Sequence, residues 1–218
     1  MSQRPRPRAR RPSERVRQPT EVRRRLIVDA ARDLIAEQGL ATTTLREIAR
    51  ASGVSVGTVT YHFAGLDDVL ADVLRSEIES FYVPLAQAAR DAESGAEALG
   101  IHIDRFFGTE PREVQHARLW LDFFSLAVRD STHARWQMDA YATWRADIAA
   151  ALERGIEDGS FEMSDLETMT TDFIIAFDGL TMQAYARNSP LGPLGAREYL
   201  HDWVRRHFVS PATGNDQP

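Results

Sequence analysis

Apolar residues recur along this chain at intervals of three and four, which is the period of an α-helix that buries one face. No stretch shows the sustained alternation that predicts a β-strand, so we expect an all-α protein. The first predicted helix runs from about Glu21 to Gln38 and is followed by Gly39, where a left-handed residue commonly ends a helix. Its apolar face is formed by Leu26, Ile27, Ala30, Ala31, Leu34 and Ile35.

Two short helices are predicted after this first one. Thr44 and Glu47 have the spacing of a capping box, which indicates the start of a helix. Gly53 can make the turn after that helix, and Ser55 can cap a third helix over residues 56–63. A helix followed by two short ones across a glycine turn has the form of a helix-turn-helix, whose last helix is placed to read the DNA major groove.

Longer helices are predicted over the remaining two-thirds of the chain. We expect them over residues 66–92 with a bend near Pro84, 94–108, 111–129, 132–157, 165–188 with Ser164 as the cap, and 196–208. These predictions divide the chain into an Arg- and Pro-rich arm at 1–19, a DNA-binding domain at 20–65, a second helical domain at 66–209 and a frayed tail at 210–218. The arm is expected to be disordered, because it has too few apolar residues to bury.

Charge is distributed unevenly along the chain. The 218 residues carry a formal net charge of −6, and all 26 basic residues are arginines. Residues 1–66 have a net charge of +7, whereas residues 67–218 have a net charge of −13. One end of the molecule can therefore attract a polyanion such as DNA while the rest repels it. Two interpretations of the arm stay open, an inert solvated tail and a basic segment that attracts phosphates.

Several classes of chemistry lack the residues that they need. The chain has no cysteine, which excludes disulfides, thiol catalysis and cysteine-bound zinc. The six histidines are scattered without metal-ligand spacing, and neither a glycine-rich phosphate loop nor a nucleophile elbow is present. The longest apolar runs have five residues, and no secretory signal is visible. We therefore expect a cytoplasmic protein that is not an enzyme and holds no metal or cofactor.

Residues 22–74 resemble the DNA-binding domain of the tetracycline-repressor-like (TetR) family of regulators. The motifs that carry this resemblance are Ile27-x-x-Ala30-Ala31-x-x-Leu34-Ile35-x-x-x-Gly39, Thr42-Thr-Thr-x-x-x-Ile48-Ala49, Ala51-Ser-Gly-Val-Ser55 and Gly57-Thr-Val-Thr-Tyr-His-Phe63. Two positions depart from the family pattern: Thr60 stands where Tyr is frequent, and Leu66 stands where Lys is usual. The missing Lys removes one expected phosphate contact.

The resemblance implies roles in DNA binding for residues of this motif. Thr44 and Ser55, at the starts of helices, would bind backbone phosphates, and Arg46 would reach a guanine edge. The residues implied to face bases are Val56, Gly57, Thr58 and Thr60, and those implied to contact phosphates are Tyr61 and His62. The competing interpretations are that His62 packs between helices and that Arg46 is merely solvated.

For the second domain the resemblance implies a small-molecule ligand. The stretches 119–128, 136–144 and 177–180 are similar to the branch of the family that includes the choline-responsive repressor of betaine synthesis. The candidate ligand-binding residues are Trp120, Phe123, Phe124, Tyr141, Trp144 and Asp178. Aromatic faces with a carboxylate suit a cation. The alternative is that the aromatic residues are ordinary core and that Asp122 and Asp178 pair with Arg118, Arg145 or backbone groups.

The resemblance also implies a homodimer formed by the two final long helices. The candidate interface residues are Phe173, Phe177, Leu180, Ala184, Tyr199, Leu200 and Trp203, with core packing inside one chain as the competing explanation. The predicted function is a transcriptional repressor that a small-molecule inducer releases from a palindromic operator. An activator or a co-repressor-dependent regulator is the alternative, and a helical-bundle enzyme or a ligand carrier is a remote one.

Overall fold

The computed structural model describes residues 20–162 and 165–209, and every element within these residues is helical. The helices are α1 Thr20–Gln38, α2 Leu45–Ala51, α3 Val56–His62, α4 Leu66–Glu77, α5 Val83–Asp91, α6 Gly95–Phe106, α7 Pro111–Ala127, α8 Ser131–Glu157, α9 Leu166–Tyr185 and α10 Gly192–Phe208. The prediction of an all-α fold is confirmed. The arm at 1–19, Ser164 and the tail at 210–218 lie outside the described residues.

The local signals around the two short helices act as expected. Thr44 and Glu47 form a complete capping box: the Thr44 hydroxyl accepts from the Glu47 amide at 3.3 Å, and the Glu47 carboxylate accepts from the Thr44 amide at 2.9 Å. Ser55 caps α3 by accepting from the Thr58 amide at 3.1 Å. Gly53 has a φ of 69°, a left-handed conformation that glycine adopts at little cost.

The predicted helix over residues 66–92 is interrupted where the bend was expected. A wider π-type segment, Ile78–Tyr82, separates α4 from α5, and Pro84 lies in the first turn of α5. Because proline has no amide hydrogen, it cannot make the usual bond to the preceding turn, and the regular α-helical bonding gives way to the wider segment there. The last helix starts earlier than predicted, at Gly192, because Pro193 fits its first turn.

The buried side chains form two cores that meet at α7. The first core, which we call the N-terminal core, joins α1–α4 with Leu119, Trp120 and Phe123 of α7. The second, the C-terminal core, joins α5, α6, α8, α9 and α10. Since α7 contributes to the first core and also packs against α8 and α9, a displacement of α7 would move its contacts with the N-terminal core and with these two helices.

None of the helices within residues 20–162 and 165–209 is both long enough and apolar enough to cross a lipid bilayer.

Candidate functional site

The first candidate site is the outer surface of α2 and α3, which we call the candidate reading face. Val59 and Phe63 are fully buried and fix α3 to the N-terminal core. The opposite side of α3 is open to solvent: Tyr61 is 79% exposed, and a Cβ at Gly57 would find no atom closer than 3.8 Å. A second surface could therefore approach the backbone of α3 closely.

The nine predicted DNA-binding residues all reach this surface to some degree. The exposed ones are Thr44, Arg46, Ser55, Val56, Gly57, Thr60 and Tyr61, and the half-buried ones are Thr58 and His62. The hydroxyls of Ser55 and Thr58 lie 2.9 Å apart and share a hydrogen bond. The arrangement presents hydroxyl, aromatic and guanidinium groups beside a helix N-terminus, which is the chemistry that phosphates and base edges require. The DNA contacts themselves stay a prediction.

Arg24 holds the end of α3 in place, a role that the sequence did not single out. Its Nη1 donates to the His62 carbonyl at 2.7 Å, and its Nε donates to Asp72 of α4 at 2.6 Å. Its guanidinium also lies 4.3 Å from the centre of the Phe63 ring. The hydrogen bond to Asp72 raises the pKa of Arg24, which keeps the charge on this residue. Arg24 thus ties α1, α3 and α4 together.

The second candidate site is a cavity walled mostly by aromatic rings, which we call the aromatic cavity. Its lining comes from α6, α7, α8, α9 and the π-type segment and consists of Tyr82, Phe106, His116, Ala117, Trp120, Phe124, Tyr141, Trp144, Phe177, Asp178 and Thr181. About 40 Å³ is open to the centres of water molecules. Such a volume holds roughly three waters, so a larger guest displaces part of the lining or extends into the adjoining groove, which shares Trp120, Phe124, Asp178 and Thr181 with the cavity.

Five of the six predicted ligand-binding residues lie together in this lining, and one does not. Trp120, Phe124, Tyr141, Trp144 and Asp178 line the cavity. Phe123 is 3% exposed and packs in the N-terminal core, so the structure corrects that assignment. Successive residues of an α-helix are rotated by about 100° around its axis, so Phe123 and Phe124 point in different directions although they are adjacent in sequence. The sequence missed Tyr82, Phe106 and His116.

Asp178 supplies a carboxylate to the cavity. The Tyr141 hydroxyl donates to its Oδ2 at 2.5 Å, and burial raises the pKa of Asp178 while that hydrogen bond partly offsets the rise. The Trp144 ring lies 4.7 Å from the Phe177 ring and 5.7 Å from the Tyr141 ring. Arg145, which the alternative interpretation offered as a partner for an aspartate, donates instead to Glu167 and Thr171.

Asp122, the other aspartate in an apolar stretch, joins α7 to the turn between α1 and α2. Its Oδ2 accepts from the Leu40 amide at 3.1 Å. Burial raises the pKa of Asp122, and the bond from Leu40 acts in the opposite direction. Asp122 lies two residues from Trp120, which lines the cavity. The backbone partner that the competing interpretation allowed is therefore the observed one for this residue.

The candidate dimer residues divide into buried and accessible ones. Phe173, Phe177, Leu180, Ala184 and Leu200 are buried inside one chain, which corrects their assignment to a surface between two chains. Tyr199 is exposed and Trp203 is half-buried. The apolar residues that α9 presents to solvent are Ile175 and Met182, each 66% exposed. When a helix is apolar on two faces, the spacing of its apolar residues does not show which face packs inside the chain and which face is exposed.

Two family models match this chain. Residues 95–209 match the family of BetI-type transcriptional repressors, C-terminal, and residues 27–73 match the bacterial regulatory proteins of the tetR family. The HTH-type transcriptional regulator BetI of Rhizobium meliloti (strain 1021) is 24% identical over 193 residues, which cover 88% of this chain and 93% of that protein.

Solved structures share the fold. A transcriptional regulator from Saccharomonospora viridis in complex with choline has a TM-score of 0.82 at 23% identity, covering 88% of this chain and 100% of that one. The regulator FadR from Bacillus subtilis in complex with stearoyl-CoA has a TM-score of 0.67 at 17% identity, covering 83% of this chain and 96% of that one. The same fold therefore accommodates chemically different ligands.

An exposed helix-turn-helix together with an aromatic cavity in the helical domain defines a ligand-responsive, DNA-binding transcriptional regulator. The chain belongs to the tetR family, with a C-terminal domain of the BetI repressor type.

Proposed function

We propose that this protein represses transcription as a homodimer on a palindromic operator and that a small organic cation, bound beside Asp178, releases it. The observation that carries the proposal is the Asp178 carboxylate, which is half-buried among aromatic rings and accepts from the Tyr141 hydroxyl. A carboxylate in such surroundings is costly unless a charge compensates it. A cation against aromatic faces would supply that charge. The choline held by the Saccharomonospora viridis regulator supports this choice of ligand class.

On the DNA side we propose the roles that the family motif implies. Thr44, Ser55, Tyr61 and His62 would contact phosphates, and Arg46 would read a guanine. The residues that would face other bases are Val56, Gly57, Thr58 and Thr60. The net charge of +7 over residues 1–66 supports the approach of DNA from this side. A regulator of this kind acts where the DNA is, so we propose a cytoplasmic location.

The homodimer is proposed to use the exposed side of the last two helices. Ile175, Gly179 and Met182 lie one turn apart on α9, and their spacing of four and three residues places them on one face. Tyr199 and Trp203 occupy neighbouring turns of α10. A two-fold axis at this face would present two copies of α3 to the two halves of a palindrome.

Release is proposed to follow from the small size of the aromatic cavity. A cation that enters the aromatic cavity would displace lining residues, and Trp120 is both a lining residue and a member of the N-terminal core. The displacement would shift the population toward dimers whose two α3 helices no longer match the operator spacing. A coupling of about 1–3 kcal/mol, which is a factor of roughly 5–150 in affinity, would be enough to control a promoter.

Calorimetric titration with choline tests the ligand class. We expect choline to bind the full-length protein, and we expect Asp178→Asn to weaken binding about tenfold or more. Asp172→Asn is the matched control, because Asp172 is an exposed residue of the same helix. A thermal-shift screen in which only neutral or anionic compounds raise the Tm of the protein would refute a cationic effector.

Footprinting tests the regulatory direction. We expect the protein to protect a palindrome in the DNA that flanks its own gene, and we expect choline to remove the protection. Tighter protection in the presence of choline would instead identify a co-repressor-dependent regulator. An absence of protection at low salt would contradict the DNA-binding assignment.

A further inference from the structure

His116 gives the aromatic cavity a buried polar group that is separate from the pair of Asp178 and Tyr141. The side chain is 1% exposed and lines the cavity, and its ring stacks on Phe81 at 3.5 Å. Its Nδ1 lies 2.7 Å from Oε2 of Glu77, which is fully buried. Its Nε2 is buried and has no hydrogen-bond partner among the described residues. A buried polar atom without a partner in an apolar site calls for a physical reason.

The contacts around Glu77 decide which ring nitrogen carries the proton. Burial by itself would raise the pKa of Glu77, but hydrogen bonds from His116 and from Arg112 at 2.7 Å outweigh it and lower the pKa. An ionised carboxylate can only accept, so Nδ1–H of His116 donates to it. Burial also lowers the pKa of His116, which keeps the ring neutral. Nε2 therefore holds a lone pair and is an acceptor.

Trp144 adds a donor to the same cavity. Its Nε1 is buried and has no partner within residues 20–162 and 165–209, and its ring lines the cavity together with His116. The same holds for Nε1 of Trp120. Leaving a buried donor or acceptor unsatisfied costs about 1–3 kcal/mol. A hydroxyl group donates and accepts at the same time, so a ligand hydroxyl has the chemistry that the acceptor of His116 and an indole donor of Trp120 or Trp144 require.

We propose that His116 is a specificity-determining residue of the effector site and that its Nε2 accepts a hydrogen bond from a hydroxyl group carried by the cation. The effector is then a hydroxylated organic cation, with its charge at Asp178 and its hydroxyl at His116. This inference rests on the cationic site proposed above and narrows its ligand class. Glu77 is the last residue of α4, so the ligand hydroxyl would act one side chain away from the helix that follows the candidate reading face.

The test compares two cations that differ only in the hydroxyl group. Choline and ethyltrimethylammonium are titrated into the full-length protein by calorimetry. We expect choline to bind about tenfold more tightly, because the second cation leaves the buried acceptor unpaired. In His116→Phe the preference should fall to about one, while Glu77 keeps its contact with Arg112. His116→Gln should restore part of the preference, since its amide can donate to Glu77 and accept from the hydroxyl.

His102→Phe is the matched control. His102 is also buried with both ring nitrogens unpartnered among the described residues, but it does not line the cavity. We expect this variant to keep the full preference for choline. Circular dichroism and Tm measurements identify the variants that fold. If His116→Phe does not fold, the test compares the preference for choline in the wild type with that in His116→Gln, which we expect to be smaller.

Three outcomes would overturn the proposal. Equal binding of the two cations by the wild type would remove the role of the hydroxyl but leave the cationic site standing. A tenfold preference that persists in folded His116→Phe would show that ordered water, or another group, serves the hydroxyl. If neither cation binds, the inference falls together with the proposed effector.

Discussion

The candidate reading face draws its side chains from residues 44–62, whereas the aromatic cavity draws its lining from residues 82–181. Most side chains of the first are exposed and are placed by two short helices with their own caps. The side chains that line the aromatic cavity are held by contacts between helices that are distant in sequence. The difference indicates that a change on the reading face should alter DNA binding with little effect on stability, while a change near the cavity should affect both.

The largest expected effect concerns the interior of the helical bundle and is measured as the pH dependence of the free energy of unfolding. Burial lowers the pKa of His102 to about 4. Below pH 6.5 the unfolded chain takes up a proton that the folded chain does not, so this group costs stability as the pH falls. We expect the stability of His102→Phe relative to the wild type to increase by about 3 kcal/mol between pH 7 and pH 4, as measured by denaturant unfolding.

The unfolding curves of the wild type and His102→Phe should therefore diverge as the pH falls. Curves that stay parallel from pH 8 to pH 4 would contradict a neutral, buried His102. DNA affinity above pH 7 should be the same in both proteins, because His102 lies in α6, outside the N-terminal core.

The middle effect tests the candidate reading face. We expect Arg46→Ala to weaken operator binding by about 1–3 kcal/mol, the usual contribution of an arginine that reads a guanine. Stability should change by less than about 0.5 kcal/mol, because the side chain is exposed. Fluorescence anisotropy with operator and with unrelated DNA measures the effect.

Arg50→Ala is the control for Arg46→Ala, since Arg50 is an exposed residue one turn further along α2. It should leave the ratio of operator binding to non-specific binding unchanged. Equal losses on both DNAs in Arg46→Ala would assign Arg46 to a phosphate instead of a base.

The smallest effect tests the contact that joins the two regions. Asp122→Ala removes the acceptor of the Leu40 amide and should cost about 1 kcal/mol of stability. Hydrogen exchange at the Leu40 amide should become faster, and choline should release DNA less completely. Asp122→Asn keeps an acceptor oxygen and should behave more like the wild type. Unchanged exchange at Leu40 would show that this contact does not restrain the turn.

The local features of the N-terminal unit were predictable because each depends on residues within one or two turns. The capping box of Thr44 and Glu47, the cap at Ser55 and the buried Val59 and Phe63 all follow from spacing along the chain. Five of the six ligand candidates also lie in one cavity, because large aromatic side chains are buried together inside a helical bundle and Asp178 follows Phe177, a member of that interior.

The errors and omissions have a common origin in helix packing. Phe123 turned toward the N-terminal core, while Phe124 beside it turned toward the cavity. Leu200 and Phe173 entered the core of one chain, although their spacing equally suited an interface between two. Arg24, Glu77 and His116 carried no sequence signal, because their partners lie 48, 35 and 39 residues away.

The order of residues along the chain was sufficient to predict the helical class, the helix-turn-helix and its candidate DNA-binding residues. Caps, glycine turns and apolar periodicity each depend on only a few neighbouring residues. The packing of helices settled which face of each helix is buried, where Asp178 meets Tyr141, and how α7 joins the N-terminal core to the cavity. Those contacts depend on the angles and distances between helices, which residue spacing within one helix does not contain.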